Sequence, residues 1–589
     1  MKKRILAVVL AACLMLAGCG VQRTEPQAEE PAAAGAEIAY VPLDDRPDNV
    51  ERVAYLAESL GYVLEMPEEE LYRTRLDGQP KNFNSIQRGE PWSLFTWVLE
   101  QEAAGCDRYI LSMDQLLSGG LVSSRSMTGD EISLPGGGTV SSSELMDSLL
   151  SALAEDKNNV VWLLDSVMRL APTVGYQGGT LEAYDAVRAY GTEPRPELAG
   201  AELTVERVTG NYRLGIGGTP LNPADFGLTE EQVDEYLAAR SRKLKLSDQL
   251  LETVRSGGYE NFRVLIGIDD SSAEECIQKN EIAFLKSLLR EGDTLLSGVD
   301  DLAFKAVAKL YLEETGWAGA DIAVRYYGGT EDQPACIYDF QALTSIVEEH
   351  LRFFGLTETE DAELQLLVLT QPADETKMDA YYSALIDDLN DCRKLNQPVI
   401  LIDAGNNRYG TAFHDALTKK TELGWLLSYA GFLDMAIVTG TAMSHGVARY
   451  AFLQNGERTE AAERAFARTV ADSVIKDFCY RNVVREDVAA YVRDDLGGNA
   501  NNFWQPPIDR GSVTALLAQR MTAETADVVK NLERSNLISS LEPYEERGWG
   551  GIRLENYRFP WDRAFEIGMD IQLGDFMEPH EKVLGWYVK

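Results

Sequence analysis

Short, nearly continuous apolar runs alternate with amphipathic segments from about residue 38 to residue 450. This pattern predicts parallel β-strands with helices on both faces, because one-sided antiparallel strands would alternate apolar and polar positions. The predicted strands are Ile38–Leu43, Tyr62–Glu65, Tyr109–Met113, Val160–Leu164, Val264–Ile268, Thr294–Leu296, Ile322–Tyr326, Leu366–Thr370, Val399–Ile402 and Ala436–Thr439.

Helical periodicity separates these strands. The predicted helices are one that begins after Asn49, then Trp92–Ala104, Thr229–Arg255, Ala283–Leu289, Leu302–Glu313 and Tyr338–Phe354. Repeated strand–helix units predict an α/β fold with parallel strands. Either a barrel-like arrangement or an open doubly wound sheet fits. The length of the alternation favours the barrel-like arrangement, although the number of strands does not decide between them.

The pattern changes near residue 451, where helical segments replace the alternation. Thr459–Tyr480 and Ser512–Leu537 are predicted helices, and the alternating tail Arg553–Asp575 predicts terminal strands. The expected organisation is therefore an α/β core domain over residues 37–450 and a mainly helical C-terminal region over residues 451–589 that packs on the core.

The N-terminus has the pattern of an export signal. Lys2, Lys3 and Arg4 precede the apolar stretch Ile5–Leu16, which is too short to span a membrane. The ending Leu16-Ala17-Gly18-Cys19 resembles a bacterial lipobox, which implies cleavage after residue 18 and a lipid on the Cys19 sulfur. An uncleaved anchor and an ordinary signal peptide are the alternatives. Residues 19–36 then form a flexible tether, and the expected location is extracytoplasmic, at the membrane.

Composition excludes several classes of function. The chain has 94 acidic and 55 basic residues, and its net charge of −39 disfavours nucleic-acid binding. Four histidines argue against a histidine-rich zinc centre. Five cysteines follow the signal segment without a C-x-x-C pair, which favours unpaired thiols. No dinucleotide, P-loop, G-x-S-x-G or H-E-x-x-H motif occurs, so the sequence predicts no cofactor.

Acidic residues follow many of the predicted strands. Ligands of α/β folds bind beyond the carboxyl ends of the strands, so these acids are expected to converge on one site. Asp45 and Asp270 are the predicted catalytic pair, as acid and base or as acid and nucleophile. The predicted substrate-binding residues are Asp44, Arg46, Asp114, Arg125, Asp165, Asp269, Asp403 and Asn406. Each acid alone is also typical of a helix cap or a turn.

Several of these segments resemble an uncharacterised bacterial family, often exported, that is known only as a domain of unknown function. The resemblance rests on Pro42-Leu43-Asp44-Asp45-Arg46-Pro47, on Asp114 to Arg125, on Asp269-Asp270-Ser271 and on Asp403 to Asn407 with the Tyr429 to Ala442 stretch. Phe432-Leu433-Asp434 stands where the family pattern leads us to expect Trp-Asn-Thr. The resemblance implies kinship over most of residues 38–560 but no reaction.

Three functions are compatible with these features. The first is a surface-anchored hydrolase of cell-wall or environmental glycans that uses paired carboxyl groups. The second is a non-catalytic, lipid-anchored protein that binds a sugar or another solute. The third is a hydrolase that depends on an oxygen-ligated metal ion held by the Asp pairs.

Overall fold

A computed structural model describes residues 35–273, 276–432, 434–534 and 551–574 of the 589-residue chain. The predicted signal peptide and Cys19 lie outside the described residues. None of the helices within the described ranges is long and apolar enough to cross a membrane. Cys106, Cys276, Cys336, Cys392 and Cys479 are free thiols.

The first sheet has six parallel strands in the order β2-β1-β3-β6-β7-β8. Because β1 lies inside the sheet, the chain adds β2 on one side and the later strands on the other, which is the doubly wound pattern. The small antiparallel hairpin β4–β5 lies outside this sheet. The strands are β1 Ala36–Val41, β2 Tyr62–Glu65, β3 Arg108–Ser112, β4 Glu131–Ser133, β5 Thr139–Ser141, β6 Val160–Val167, β7 Phe262–Ile268 and β8 Thr294–Ser297.

The second sheet has five parallel strands in the order β10-β9-β11-β12-β13. The strands are β9 Ala320–Tyr327, β10 Leu356–Glu358, β11 Leu364–Leu369, β12 Val399–Asp403 and β13 Ser428–Gly431. The predicted α/β class is confirmed. The preference for a barrel was wrong, because both sheets are open; strand–helix alternation is common to both architectures and does not encode closure.

Helices cover both sheets and form most of the C-terminal region. Their bounds are Glu51–Ser59, Pro91–Ala104, Met113–Ser118, Leu121–Ser124, Ser142–Leu153, Leu181–Thr192, Val205–Asn211, Glu230–Ser256, Ile277–Leu288, Leu302–Glu314, Leu343–Phe354, Met378–Lys394, Gly410–Lys420, Met435–Asn455, Glu460–Ser473, Arg485–Ala490, Arg510–Glu524 and Ala526–Arg534. The π-helical segments Val474–Val484 and Tyr491–Asp495 flank Arg485–Ala490. An antiparallel hairpin, β14 Ile552–Arg558 and β15 Gly568–Leu573, follows.

One predicted strand was wrong. Ala436–Thr439 lies in the helix Met435–Asn455, and the last strand of the second sheet is β13, which precedes it. Most of this helix is buried, so its sequence is apolar on nearly all sides. A short apolar run of this kind has no periodicity that would distinguish a buried helix from a buried strand.

The two sheets share one hydrophobic core. A single set of contacting buried side chains includes Leu164 of the first sheet, Leu366 of the second, and Phe304 and Met443 from the helices Leu302–Glu314 and Met435–Asn455. These side chains are at most 2% exposed. The sheets are therefore joined by packed helices, which hold them in a fixed relation to each other.

Candidate functional site

A cavity of about 490 Å³ lies where loops that follow strands of both sheets meet the C-terminal hairpin. We call it the cleft. The first sheet contributes Asp269 and Asp270 after β7 and Asp300 after β8, and the second contributes Asp434 after β13. The loop between β14 and β15 contributes a further wall of the cleft, which contains Glu566. This volume is in the range of small-molecule sites.

Arg46 joins the loops that follow β1 and β8. Its guanidinium contacts the carboxylate of Asp44 at 2.8 Å and that of Asp300 at 2.6 Å. Asp44 also accepts a 2.9 Å hydrogen bond from the Asn49 side chain, so it is fully engaged within its own loop. Burial alone would raise the pKa of Asp300, but the charge and hydrogen bonds of Arg46, together with the charge of Arg125, outweigh it and lower that pKa. Asp300 is therefore a stable anion on the cleft wall.

Two further arginines pair with the Asp269–Asp270 segment. Arg125 lies 2.6 Å from the Asp269 carboxylate, and Arg169 lies 3.0 Å from that of Asp270. The Asp269 side chain is nearly inaccessible, whereas that of Asp270 is 27% exposed. Asp270 is thus the member of the pair that presents its carboxylate to the cleft.

Asp434 precedes the helix Met435–Asn455, where an Asp commonly caps the first turn. Here the buried Asp339 does so instead, since its carboxylate accepts hydrogen bonds from Met435 N at 3.4 Å and Ala436 N at 3.1 Å. The Asp434 side chain makes no cap bond and lines the cleft. Burial, followed by the charges of Asp270, Asp339 and Asp300, raises its pKa well above the ordinary value. The surroundings of Asp434 therefore favour its protonated form more than those of an exposed Asp do.

Glu566 is a second carboxyl group with a raised pKa. It is 2% exposed, and its Oε1 atom has no hydrogen-bond partner. Burial and the charge of Asp48 raise its pKa to about 7. Asp48 itself is held ionised, because Arg481, Lys476 and Arg52 outweigh the effect of burial and lower its pKa. The 2.6 Å contact between Asp48 and Arg481 also fixes the loop after β1 to the C-terminal region.

Arginines cover the aromatic rings of the cleft. Each aromatic residue that lines it has a guanidinium carbon within 6 Å of its ring centre. The pairs are Trp561 with Arg46 and Arg563, Phe304 with Arg52, Tyr184 with Arg169, Tyr338 with Arg188, Phe432 with Arg485, and Phe565 with Arg563. Such contacts hold guanidinium groups in place. The rings therefore support the cationic groups of the cleft.

Three cleft residues other than glycine have left-handed backbone conformations. The φ angles of Asn406, Phe432 and Trp561 are 46°, 63° and 56°. Such a conformation is costly for a bulky residue and occurs most often at functional sites. Two of the three are the aromatic residues that carry Arg485 and Arg563.

The predicted site residues separate into two sets. Arg46, Arg125, Asp269, Asp270 and Asn406 line the cleft. Asp45 does not; its carboxylate accepts hydrogen bonds from Trp561 Nε1 at 2.7 Å and Thr74 N at 3.0 Å. Burial raises the pKa of Asp45 to about 6 despite these bonds. Asp45 thus fixes Trp561 from behind the cleft wall.

Asp114, Asp165 and Asp403 also lie away from the cleft lining. Asp114 and Asp165 share Lys243, whose Nζ lies 2.7 Å from Asp114 and forms a shorter contact with Asp165. Asp403 accepts a 3.1 Å hydrogen bond from Gly405 N and a 3.3 Å hydrogen bond from the Tyr429 hydroxyl. These acids stabilise buried turns and strand ends.

Several cleft residues were not predicted as site residues from the sequence. Asp300 follows the predicted strand Thr294–Leu296 but is not among the predicted site residues, and Asp434 stands out in the sequence only as part of the departure from the family pattern. Arg481, Arg563 and Glu566 reach the cleft from the C-terminal region, for which no strand-end argument exists. The position of Asp434 directly before the long helix Met435–Asn455 is a sequence feature that could have drawn attention to this residue.

The fold and cleft define an α/β protein of two open parallel sheets with an arginine- and aspartate-rich cavity between their loops. The chain belongs to the family described as Protein of unknown function (DUF4127), which matches residues 38–570. No curated protein and no solved structure matches the chain. Within the described ranges, no group of three or more His, Cys, Asp or Glu side chains is arranged to hold a metal ion.

Proposed function

We propose that the cleft is the active site of a carbohydrate-active hydrolase. The observation that carries the proposal is the Asp434 carboxyl group, which is freed from helix capping and lines the same cavity as Asp270 and Asp300. Glycoside hydrolysis needs one carboxyl group that holds a proton at neutral pH and one that is ionised. The cleft offers both kinds within one cavity.

Asp434 is the proposed general acid, which donates its proton to the glycosidic oxygen as the bond to the leaving group breaks. Asp270 is the proposed base or nucleophile, and Arg169 at 3.0 Å orients its carboxylate. It either takes a proton from the attacking water or attacks the anomeric carbon itself. Asp300, held ionised by Arg46, would stabilise the positive charge that develops on the sugar ring.

A non-catalytic sugar- or solute-binding protein is the second candidate. The many arginines of the cleft that pair with carboxylates favour this binding function, because a ligand-binding site needs polar groups held in fixed positions. A receptor that closes by a hinge would keep its two lobes separately packed, whereas here the helices Leu302–Glu314 and Met435–Asn455 lie in a core that both sheets share. This shared core supports a rigid, preorganised site, as catalysis requires.

The test is turnover of a panel of glycans and peptidoglycan fragments by the purified full chain, with products followed by mass spectrometry. Asp434→Asn and Asp270→Asn should each lower the rate by about 10²–10⁴-fold. Asp415→Asn, whose side chain is 69% exposed and remote from the cleft, is the matched control and should retain full activity.

Other outcomes would redirect the proposal. Full activity of Asp434→Asn with loss in Glu566→Gln would move the proton donor to Glu566. Loss of activity with EDTA would support the metal-dependent hydrolase. Binding without turnover would support the receptor.

We also propose that the protein is exported and anchored to the membrane by a lipid on Cys19. The basic residues, the apolar stretch and the lipobox-like ending support this proposal. Cys19→Ala should move the protein from the membrane to the soluble fraction. An unchanged distribution would contradict a lipid anchor.

A further inference from the structure

Two arginines of the cleft have no anionic partner among the described residues. Arg46, Arg52, Arg125, Arg169 and Arg481 each lie within 4 Å of a carboxylate. Arg485 and Arg563 line the same cavity, and in the described part of the chain neither forms an ion pair or a side-chain hydrogen bond. In a chain with a net charge of −39, two cations without carboxylate partners in one cavity are unexpected.

Arg563 is the more constrained of the two. Its guanidinium lies 4.5 Å from the Trp561 ring centre and 5.1 Å from that of Phe565, and its Nε is buried without a hydrogen-bond partner. Burial, followed by the charge of Arg46, lowers its pKa to about 10, so it remains charged at neutral pH. Arg563 is partly buried and is affected by the charges of Glu566 and Asp44 without forming an ion pair with either. Desolvating a cation that has no ion-pair partner is costly, and an incoming anion would relieve that cost.

The surrounding residues hold Arg563 in position. Asp45 fixes Trp561 through the 2.7 Å hydrogen bond to its Nε1, and Trp561 has an unfavourable left-handed backbone conformation. Asp562, the next residue, accepts a 2.7 Å hydrogen bond from Trp504 Nε1. On the other side of Arg563, the Tyr480 hydroxyl donates a 2.7 Å hydrogen bond to the carbonyl of Ala564. The loop between β14 and β15 is thus held before and after Arg563, which presets the guanidinium for a ligand.

We infer that the cleft binds a saccharide that carries an acidic substituent, a carboxylate or a sulfate ester, and that Arg563 is the residue that recognises this group. The inference rests on the proposed function and specifies its substrate class. A guanidinium donates paired hydrogen bonds to the oxygens of such groups. Arg485, whose guanidinium carbon lies 4.6 Å from the Phe432 ring centre, supplies a second cationic contact in the cleft.

Binding measured by calorimetry tests this inference without any need for turnover. The probes are glucuronate- and galacturonate-containing oligosaccharides, their sulfated counterparts, and neutral oligosaccharides of the same length. The full chain should bind at least one acidic class about tenfold or more tightly than the neutral class, and the stronger class identifies the substituent. Added salt should weaken this preference.

Variants assign the preference to Arg563. Arg563→Met should abolish the preference for acidic probes and leave the weak binding of neutral probes unchanged. Arg563→Lys, which keeps the positive charge, should retain part of the preference for acidic probes. If Arg563→Met does not fold, Arg485→Met should reduce the same preference. Equal binding of acidic and neutral probes by the wild type, or an unchanged preference in a folded Arg563→Met variant, would overturn the inference. Acidic binding without turnover would retain the inference and contradict only the hydrolase.

Discussion

Two sets of carboxyl groups lie within or directly after strands of the α/β core, yet they have opposite surroundings. Asp165 in β6 and Asp114 after β3 are buried, share Lys243 and accept hydrogen bonds from Ser247 and Ser166. We call this group the lysine cluster. Asp270, Asp300 and Asp434 line the cleft, where the charges of the first two help to raise the pKa of the third.

The difference lies in how the charge is balanced. In the lysine cluster, burial alone would lower the pKa of Lys243, but the two carboxylates outweigh it and raise that pKa. In the cleft, Asp434 has no cation within ion-pair distance among the described residues, and burial with three nearby acids raises its pKa. A buried acid that is paired with a cation contributes to the stability of the fold, whereas an unpaired acid in a cavity, with a perturbed pKa, is a candidate for catalysis. Replacing members of each group therefore tests whether charge balance distinguishes the acids that stabilise the fold from those of the cleft.

The largest effect is expected from Lys243→Met. The variant leaves Asp114 and Asp165 buried next to each other without a cation, so the free energy of unfolding should fall by about 3–5 kcal/mol. Urea denaturation measures this. Lys419→Met is the matched control, because Lys419 forms an ion pair with Asp415 in which both side chains are at least 60% exposed, and its loss should cost at most about 0.5 kcal/mol. Equal effects of the two substitutions would contradict the balanced role of Lys243.

An intermediate effect on the free energy of unfolding is expected from the titration of Glu566. Its pKa is about 7 in the folded protein and 4.5 without perturbation, so the folded state retains a proton that the unfolded state has lost. The stabilising contribution is complete below pH 4.5 and is lost as pH rises towards 7 and beyond. The loss should be on the order of 2 kcal/mol, since one pKa unit corresponds to about 1.4 kcal/mol and coupling to Asp48 reduces the total.

Glu566→Gln removes this titration. Thermal melts between pH 4.5 and 8 should show a shallower decline of Tm for the variant than for the wild type. Below pH 4.5 the two proteins should show the same dependence of Tm on pH, because Glu566 is then protonated in both the folded and the unfolded state. Parallel slopes for the two proteins would show that Glu566 does not retain its proton in the folded state.

The smallest effect is expected from Asp434→Asn. At pH 8 the unfolded chain carries an ionised Asp434 that the folded cleft disfavours, so a neutral Asn should stabilise the protein by about 1 kcal/mol. The gain should shrink as pH falls towards 4, because the unfolded carboxyl group then becomes protonated as well. A destabilised variant at pH 8 would instead indicate that Asp434 contributes to stability, as the members of the lysine cluster do.

The sequence allowed the core strands and the α/β class to be predicted, because buried parallel strands are continuously apolar. It also placed Asp270, Arg46 and Arg125 near a site, since the ends of parallel strands share one edge. It did not show that Asp114 and Asp165 lie outside the cleft lining, because no local pattern indicates that Lys243 lies between them. It also missed Arg563 and Glu566, which the C-terminal hairpin brings to the cleft from a distant part of the chain.

The proposed role of Asp434 as the proton donor depends on its protonation state, which can be measured without a substrate. Infrared difference spectra between the wild type and Asp434→Asn, recorded as pH is varied, report the carboxyl band of this residue. We expect a protonated Asp434 carboxyl group at pH 7 that ionises only at higher pH. An ionised carboxylate already at pH 5 would contradict the assignment of Asp434 as the proton donor of the cleft.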